Sequence, residues 1–114
     1  MCIRDRRGAD LFVRTAERGV GLTNACGSAM AASAHAAALT GRIAWDQSLT
    51  VFNAGGRVRA TPHRDGRVTL SGNATVEWLG EIEVDLRTGA CRALTLTQDR
   101  PHERAAWAAA IAGT

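Results

Sequence analysis

The 114-residue sequence has no lysine and no tyrosine, and its aromatic residues are three Trp and two Phe. All 14 basic residues are therefore Arg, and they are spread along the chain rather than collected on one segment. Proteins that bind nucleic acid combine a basic surface with aromatic side chains on which bases stack. Few rings and a dispersed net charge of +3 argue against a nucleic-acid partner.

Long hydrophobic runs are also absent. No window reaches the roughly 18 consecutive apolar residues of a membrane span, so no membrane partner is expected. The first seven residues carry charge with no apolar segment behind them, which is unlike a secretory signal. With 46% hydrophobic and 22% charged residues the chain has the composition of a folded domain. We expect a cytoplasmic protein.

Cysteine and histidine are too sparse for two classes of site. Three cysteines without CxxC spacing do not form a disulfide framework. His35, His63 and His102 are isolated, with no partner at the spacing of metal ligands. The sequence therefore predicts no metal site.

Two alanine-rich segments predict helices, because alanine is the best helix former. The first covers residues 29–39, with Ser28 expected as its N-cap and Gly41 as its end. It has so little polar surface that other elements are expected to enclose it. The second covers residues 102–112, after Pro101.

The remaining chain is typical of β-structure, apart from residues 1–10, which are charged and expected to be irregular. Strands are predicted over residues 11–16, 48–53, 57–63, 67–71, 75–86 and 93–97. Val68 and Leu70 alternate with polar residues, as do Ile82 and Val84, which is typical of half-buried antiparallel strands. The predicted fold class is α+β, with an antiparallel β-sheet curved around one central apolar helix.

Cys26 stands where the first helix is about to begin. Unpaired backbone N–H groups at a helix N-terminus favour negative charge and can lower a thiol pKa from about 8.5. The same groups, with Gly27 and the Ser28 hydroxyl, suit a carboxylate. A thiolate beside an anchored carboxylate has the arrangement needed to remove a Cα proton. Arg18 can pair with a second carboxylate and Glu17 with an ammonium group.

The same residues have ordinary structural interpretations. A free cysteine is most often a small buried apolar residue, and a Glu-Arg pair is most often a solvated surface pair. The glycines of residues 17–28 have neither Walker nor dinucleotide-binding spacing. From the residues alone, a reactive thiol site and an inert cysteine both stay open.

Residues 17–29 read Glu-Arg-Gly-Val-Gly-Leu-Thr-Asn-Ala-Cys-Gly-Ser-Ala. They closely resemble the signature around the second catalytic cysteine of diaminopimelate epimerases, which also precedes an alanine-rich helix. Two later blocks are similar to family motifs and follow in the same order: Ala54-Gly55-Gly56, and Leu70-Ser71-Gly72-Asn73-Ala74 with Gly80-Glu81-Ile82. The resemblance covers roughly residues 11–86.

The resemblance implies an isomerase that interconverts LL- and meso-2,6-diaminopimelate in bacterial lysine and peptidoglycan-precursor synthesis. It implies no pyridoxal phosphate, metal or other cofactor. Two cysteines, one from each of two similar lobes, act on opposite faces of the Cα. By the motif, Cys26 is the catalytic cysteine of the second lobe, and Glu17 is a catalytic residue that tunes the cysteines. Glu17, Arg18, Gly27 and Ser28 match residues that bind the substrate.

The motifs of the first lobe are missing, and Cys2 and Cys91 lie outside the matching blocks. The expected division is a non-family segment at 1–10, a C-terminal lobe at 11–86 and an extension with a short helix at 87–114. We therefore expect the C-terminal half of an epimerase, inactive without the missing N-terminal lobe. An exposed apolar cleft face would favour self-association, as in a homodimer.

Two alternatives stay open at this point. One is a lobe of a proline racemase-like or phenazine-biosynthesis-like isomerase. The other is a non-catalytic truncated fragment.

Overall fold

A computed structural model describes residues 2–7 and 10–112, with the backbone alone for residues 2–7. The elements in chain order are β1 (Cys2–Arg7), β2 (Asp10–Glu17), β3 (Gly21–Thr23), α1 (Gly27–Leu39), β4 (Leu49–Asn53), β5 (Gly56–Pro62), β6 (Val68–Gly72), β7 (Trp78–Val84), β8 (Cys91–Asp99) and α2 (Pro101–Ala112). The chain divides into two compact units, one built mainly from the residues up to Asn73 and the other from Ala74–Ala110.

The first unit is one sheet with strand order β1-β2-β4-β5-β6, with β3 paired to β2. All of its pairings are antiparallel except β2 with β4, which run parallel through Leu11 opposite Val51 and Phe12 opposite Phe52. The parallel pair arises because α1 lies between these strands in the chain and carries it back to the starting end of β2. The α+β class is confirmed, and the sheet is mixed at this one pairing.

The core lies between this sheet and α1. Alternating residues of the strands, among them Leu11, Val13 and Val51, point into it, and Val13 and Val51 are fully buried. Burying a valine side chain stabilises the fold by about 2 kcal/mol. Met30 and Ala34 supply the helix face of the core. Small alanine side chains let the helix backbone approach the strands, so the sheet curls over this face.

The first helix begins earlier than predicted. It starts at Gly27, and its N-cap is Cys26, not Ser28. Cys26 has extended backbone angles (φ −149°, ψ 102°), and its carbonyl accepts the first helical hydrogen bond from the Met30 N–H at 3.0 Å. The predicted enclosure of α1 holds for one face only, because Leu39 on the other is 70% exposed. Within the described part of the chain, no helix has the length and apolar content to cross a membrane.

Two strands were missed by the sequence patterns. The segment 1–10 was expected to be irregular, but residues 2–7 form β1, antiparallel to β2. The short β3 lies in the glycine-rich stretch and pairs with the end of β2, through Glu17 opposite Gly21. Both strands are defined by their partner rather than by apolar alternation, which is why the pattern did not reveal them.

In the second unit, β7 and β8 form an antiparallel pair from Trp78 opposite Asp99 to Val84 opposite Cys91. The strand order and direction agree with the predicted hairpin, but the predicted half-burial of Ile82 and Val84 is wrong. Both side chains are 50% exposed, and no residue of either strand is buried. A two-stranded ribbon has two open faces, so alternation alone does not bury one of them.

Candidate functional site

A tight reversal of the chain brings the predicted site residues to one end of α1. After Glu17 ends β2, the Val20 N–H donates to the Glu17 carbonyl at 3.2 Å, and β3 runs back beside β2. Gly19 takes a left-handed conformation (φ 77°) in this turn, which favours glycine. The chain then passes through Asn24 into Cys26 and the helix.

Cys26 is half-buried at the N-terminus of α1. Its Sγ lies 3.3 Å from the Ser28 Oγ. The Ser28 hydroxyl, and then the backbone N–H of Ala29, lower the pKa of the Cys26 thiol below its usual range. Partial burial and the negative charge of Glu17 act in the opposite direction but are weaker. The sulfur makes no full capping hydrogen bond with the helix backbone, so the N–H dipoles act on it mainly through their field.

Glu17 is held by a residue that sequence reasoning did not single out. The Thr23 hydroxyl donates to Glu17 Oε1 at 3.0 Å and lies 3.4 Å from the Thr15 carbonyl. This contact spans the β2–β3 turn and orients the carboxylate whose charge reaches Cys26. A signal was present, because Thr23 is one of the residues in the block 17–29.

Gly27 and Ser28 are the first two residues of α1, and both are exposed. Arg18 lies in the turn after β2, exposed, and forms no ion pair or hydrogen bond with any residue that the structure describes. The structure therefore brings Glu17, Gly27 and Ser28 around Cys26. It gives Arg18 no protein partner in the described ranges.

The other potential ligands lie elsewhere. Cys91 is exposed at the start of β8, in the second compact unit. The side chain of Cys2 lies outside the described residues. Among residues 10–112, no three His, Cys, Asp or Glu side chains are grouped closely enough to hold a metal ion.

Comparison with known proteins gives one consistent family. No protein-family model matches the chain. The diaminopimelate epimerase of Clostridium acetobutylicum is 37% identical over 83 residues, which is 69% of this chain and 25% of that protein. The diaminopimelate epimerase of Enterococcus faecalis is 44% identical over 93 residues, or 77% of this chain and 28% of that protein. That of Ligilactobacillus salivarius is 48% identical over 71 residues, or 57% and 22%.

The chain thus spans about a quarter of the length of the curated relatives it matches. The similarity recurs across these relatives, and the fold around Cys26 is that of one α+β lobe. The chain is related by sequence to one part of the diaminopimelate epimerases.

Proposed function

We propose that the chain is the C-terminal half of a cofactor-independent diaminopimelate epimerase of the cytoplasm, and that Cys26 is one of its two acid–base cysteines. The observation that carries the proposal is the position of the Cys26 thiol at the N-cap of α1, 3.3 Å from Ser28 Oγ. A donor hydroxyl and helix N–H groups stabilise a thiolate there. A thiolate is the form that removes a proton.

In the proposed reaction the Cα–H bond of the substrate breaks and Cys26 Sγ takes the proton. The bonding electron pair stays on the substrate and spreads into its α-carboxylate. A thiol from the missing N-terminal lobe then donates its proton to the opposite face of the carbon. The product has inverted configuration, and neither oxidation nor reduction occurs. One lobe alone supplies one base, so the isolated chain is expected to be inactive.

The substrate contacts follow from where the residues lie. The exposed N–H groups of Gly27 and Ser28 at the start of α1 suit the reacting α-carboxylate. Glu17, oriented by Thr23, suits the ammonium group. Arg18, without a partner among the described residues, has its guanidinium available for the distal carboxylate.

The test is a chimaeric enzyme. Residues 11–86 would replace the matching segment of the Enterococcus faecalis diaminopimelate epimerase, so that the other lobe is present. We expect deuterium from solvent to enter the Cα of diaminopimelate, as measured by mass spectrometry. Cys26→Ala should reduce the exchange by about 10²-fold or more, the usual contribution of a positioned acid–base group. The matched control is Cys91→Ser in the isolated chain, which should leave the alkylation rate of Cys26 unchanged.

Each alternative has its own outcome. Exchange at the Cα of proline but not of diaminopimelate would support a proline racemase-like lobe. A folded chimaera with no exchange in either substrate would support a non-catalytic fragment. Full exchange in the Cys26→Ala chimaera would contradict the role of Cys26.

A further inference from the structure

The turn between β4 and β5 is bonded to the loop that carries Cys26. The Gly55 N–H donates to the Asn24 carbonyl at 2.7 Å. Asn24 lies two residues before Cys26, in the segment between β3 and α1. This bond joins residues far apart in sequence, so it fixes the loop against the sheet.

Gly55 also approaches Asn24 more closely than any other residue type permits. A methyl group at this position would lie 2.8 Å from the Asn24 carbonyl oxygen, 3.0 Å from its Cβ and 3.2 Å from its carbonyl carbon. Two of these atoms belong to the backbone, so they cannot move aside by a side-chain rotation. The loop sits where it does only because Gly55 has no side chain.

Asn53 makes the turn a fixed support. Its side chain is 1% exposed, and its Oδ1 accepts a hydrogen bond from the same Gly55 N–H at 3.0 Å. Asn53 is the last residue of β4 and is buried at the end of the core. The Gly55 N–H is therefore directed by a buried acceptor on one side and holds the loop on the other.

We propose that Gly55 is a positioning residue for Cys26, holding the Asn24 carbonyl so that the thiol stays beside Ser28 and the first turn of α1. The proposal rests on the proposed role of Cys26 as the acid–base group. Cys26 has extended backbone, so a shift at Asn24 is transmitted along the chain to the sulfur rather than absorbed by a turn. Gly55 touches neither substrate nor sulfur in this scheme.

The experiment is the pH dependence of Cys26 alkylation by iodoacetamide in the whole chain, followed by mass spectrometry of the peptide that contains Cys26. We expect Gly55→Ala to raise the midpoint of the profile by about half a pH unit. The rate near neutral pH should fall about threefold, because the thiolate fraction falls about tenfold per unit of pKa. A folded Gly55→Ala chain with the wild-type profile would overturn the proposal.

Gly72→Ala is the matched control. Its added methyl group would meet Val58 Cγ1 at 3.5 Å, an ordinary contact, and Gly72 ends β6. The profile of this variant should coincide with that of the wild type. An equal shift in Gly72→Ala would mean that Cys26 responds to any loss of a sheet glycine, and the proposal would fail.

Two further measurements protect the test against a variant that does not fold. Asn53→Ala removes the buried acceptor without adding atoms, and it should shift the midpoint in the same direction by a smaller amount. In the unaltered chain, the Gly55 amide should exchange slowly with deuterium, because it is bonded to Asn24. Fast exchange of that amide would contradict the proposal without any variant. None of these measurements needs epimerase activity, so an inactive chimaera would refute the proposed function and leave the role of Gly55 standing.

Discussion

Ser28 has a different place from the one that its residue type suggests. Serine just before an alanine-rich segment is typical of an N-cap, but here it is the second residue of α1 and its hydroxyl faces the Cys26 sulfur. Cysteine takes the N-cap position instead. The hydroxyl that would have satisfied a backbone N–H is thereby directed to the thiol.

This placement makes the Ser28 hydroxyl the main cause of the lowered pKa of Cys26. We expect Ser28→Ala to move the pKa of the thiol up toward its ordinary value, because the thiolate loses a hydrogen-bond donor. Alkylation of Cys26 near neutral pH should slow about threefold. Peptide-resolved alkylation across the pH range measures this shift. Ser71→Ala, an exposed serine on β6, is the control, and an unchanged midpoint in Ser28→Ala would refute this cause.

At this scale, local pattern predicted the group formed by Cys26, Gly27 and Ser28, because all three follow from one helix start. It did not predict Thr23 or Gly55. Thr23 reaches Glu17 only through the pairing of β2 with β3, and Gly55 reaches Asn24 only through the folded sheet. Such contacts between distant segments have no periodic signature.

Among the elements, α2 is joined to the strand before it by charge rather than by apolar packing. The Asp99 carboxylate at the end of β8 accepts hydrogen bonds from the Arg104 guanidinium in the second turn of α2. No residue of α2 is buried. The connection between hairpin and helix therefore depends on an ion pair.

The Arg104 guanidinium, above all, lowers the pKa of Asp99 below its usual range. A lowered pKa in the folded state stabilises the fold above the unfolded value of 3.8, and this stabilisation is lost as the pH falls through the folded value. Helix content measured by circular dichroism should therefore fall below about pH 4. Asp99→Asn should have less helix near neutral pH and lose less of it on acidification. Glu83→Gln on β7 is the control, because Glu83 has no ion-pair partner in the described ranges, and an acid response in Asp99→Asn equal to that of the wild type would refute the link.

The predicted helices and most predicted strands match observed elements within three residues at each end, because alanine content and turn residues mark them locally. The β7 strand is shorter, and β8 is longer, than the patterns predicted. The register shifts between Leu79 and Gly80 and between Glu81 and Glu83 depend on how the two strands meet. Sequence alternation carries no information on that fit.

On the scale of the whole chain, the second compact unit exposes more apolar surface than a hairpin keeps in water unaided. The large side chains that are about half-exposed on its strands are Trp78, Leu79, Ile82, Val84, Leu94 and Leu96. Contiguous apolar patches of this kind mark interaction surfaces or cause self-association. A two-stranded sheet is marginal on its own, so an additional layer over either face would stabilise it.

We therefore expect the chain to self-associate with rising concentration, as sedimentation velocity measures. Replacing Ile82 and Val84 together by Ser should weaken the association, because it removes apolar area from the exposed hairpin. The control is Val20→Ser, an equally simple change at a residue that is 70% exposed in the first unit. A chain that stays monomeric at every concentration, or that associates equally with Ile82 and Val84 replaced, would contradict this.

The parallel pairing of β2 with β4 has a consequence for how the protein matures. These neighbours are separated in the chain by residues 18–48, which contain the whole cysteine loop and α1. Closing so long a connection costs chain entropy before any strand contact is gained, and such pairings form slowly. The sulfur thus acquires its special surroundings only at the end of folding, and its chemical sensitivity doubles as a clock for the last step of assembly.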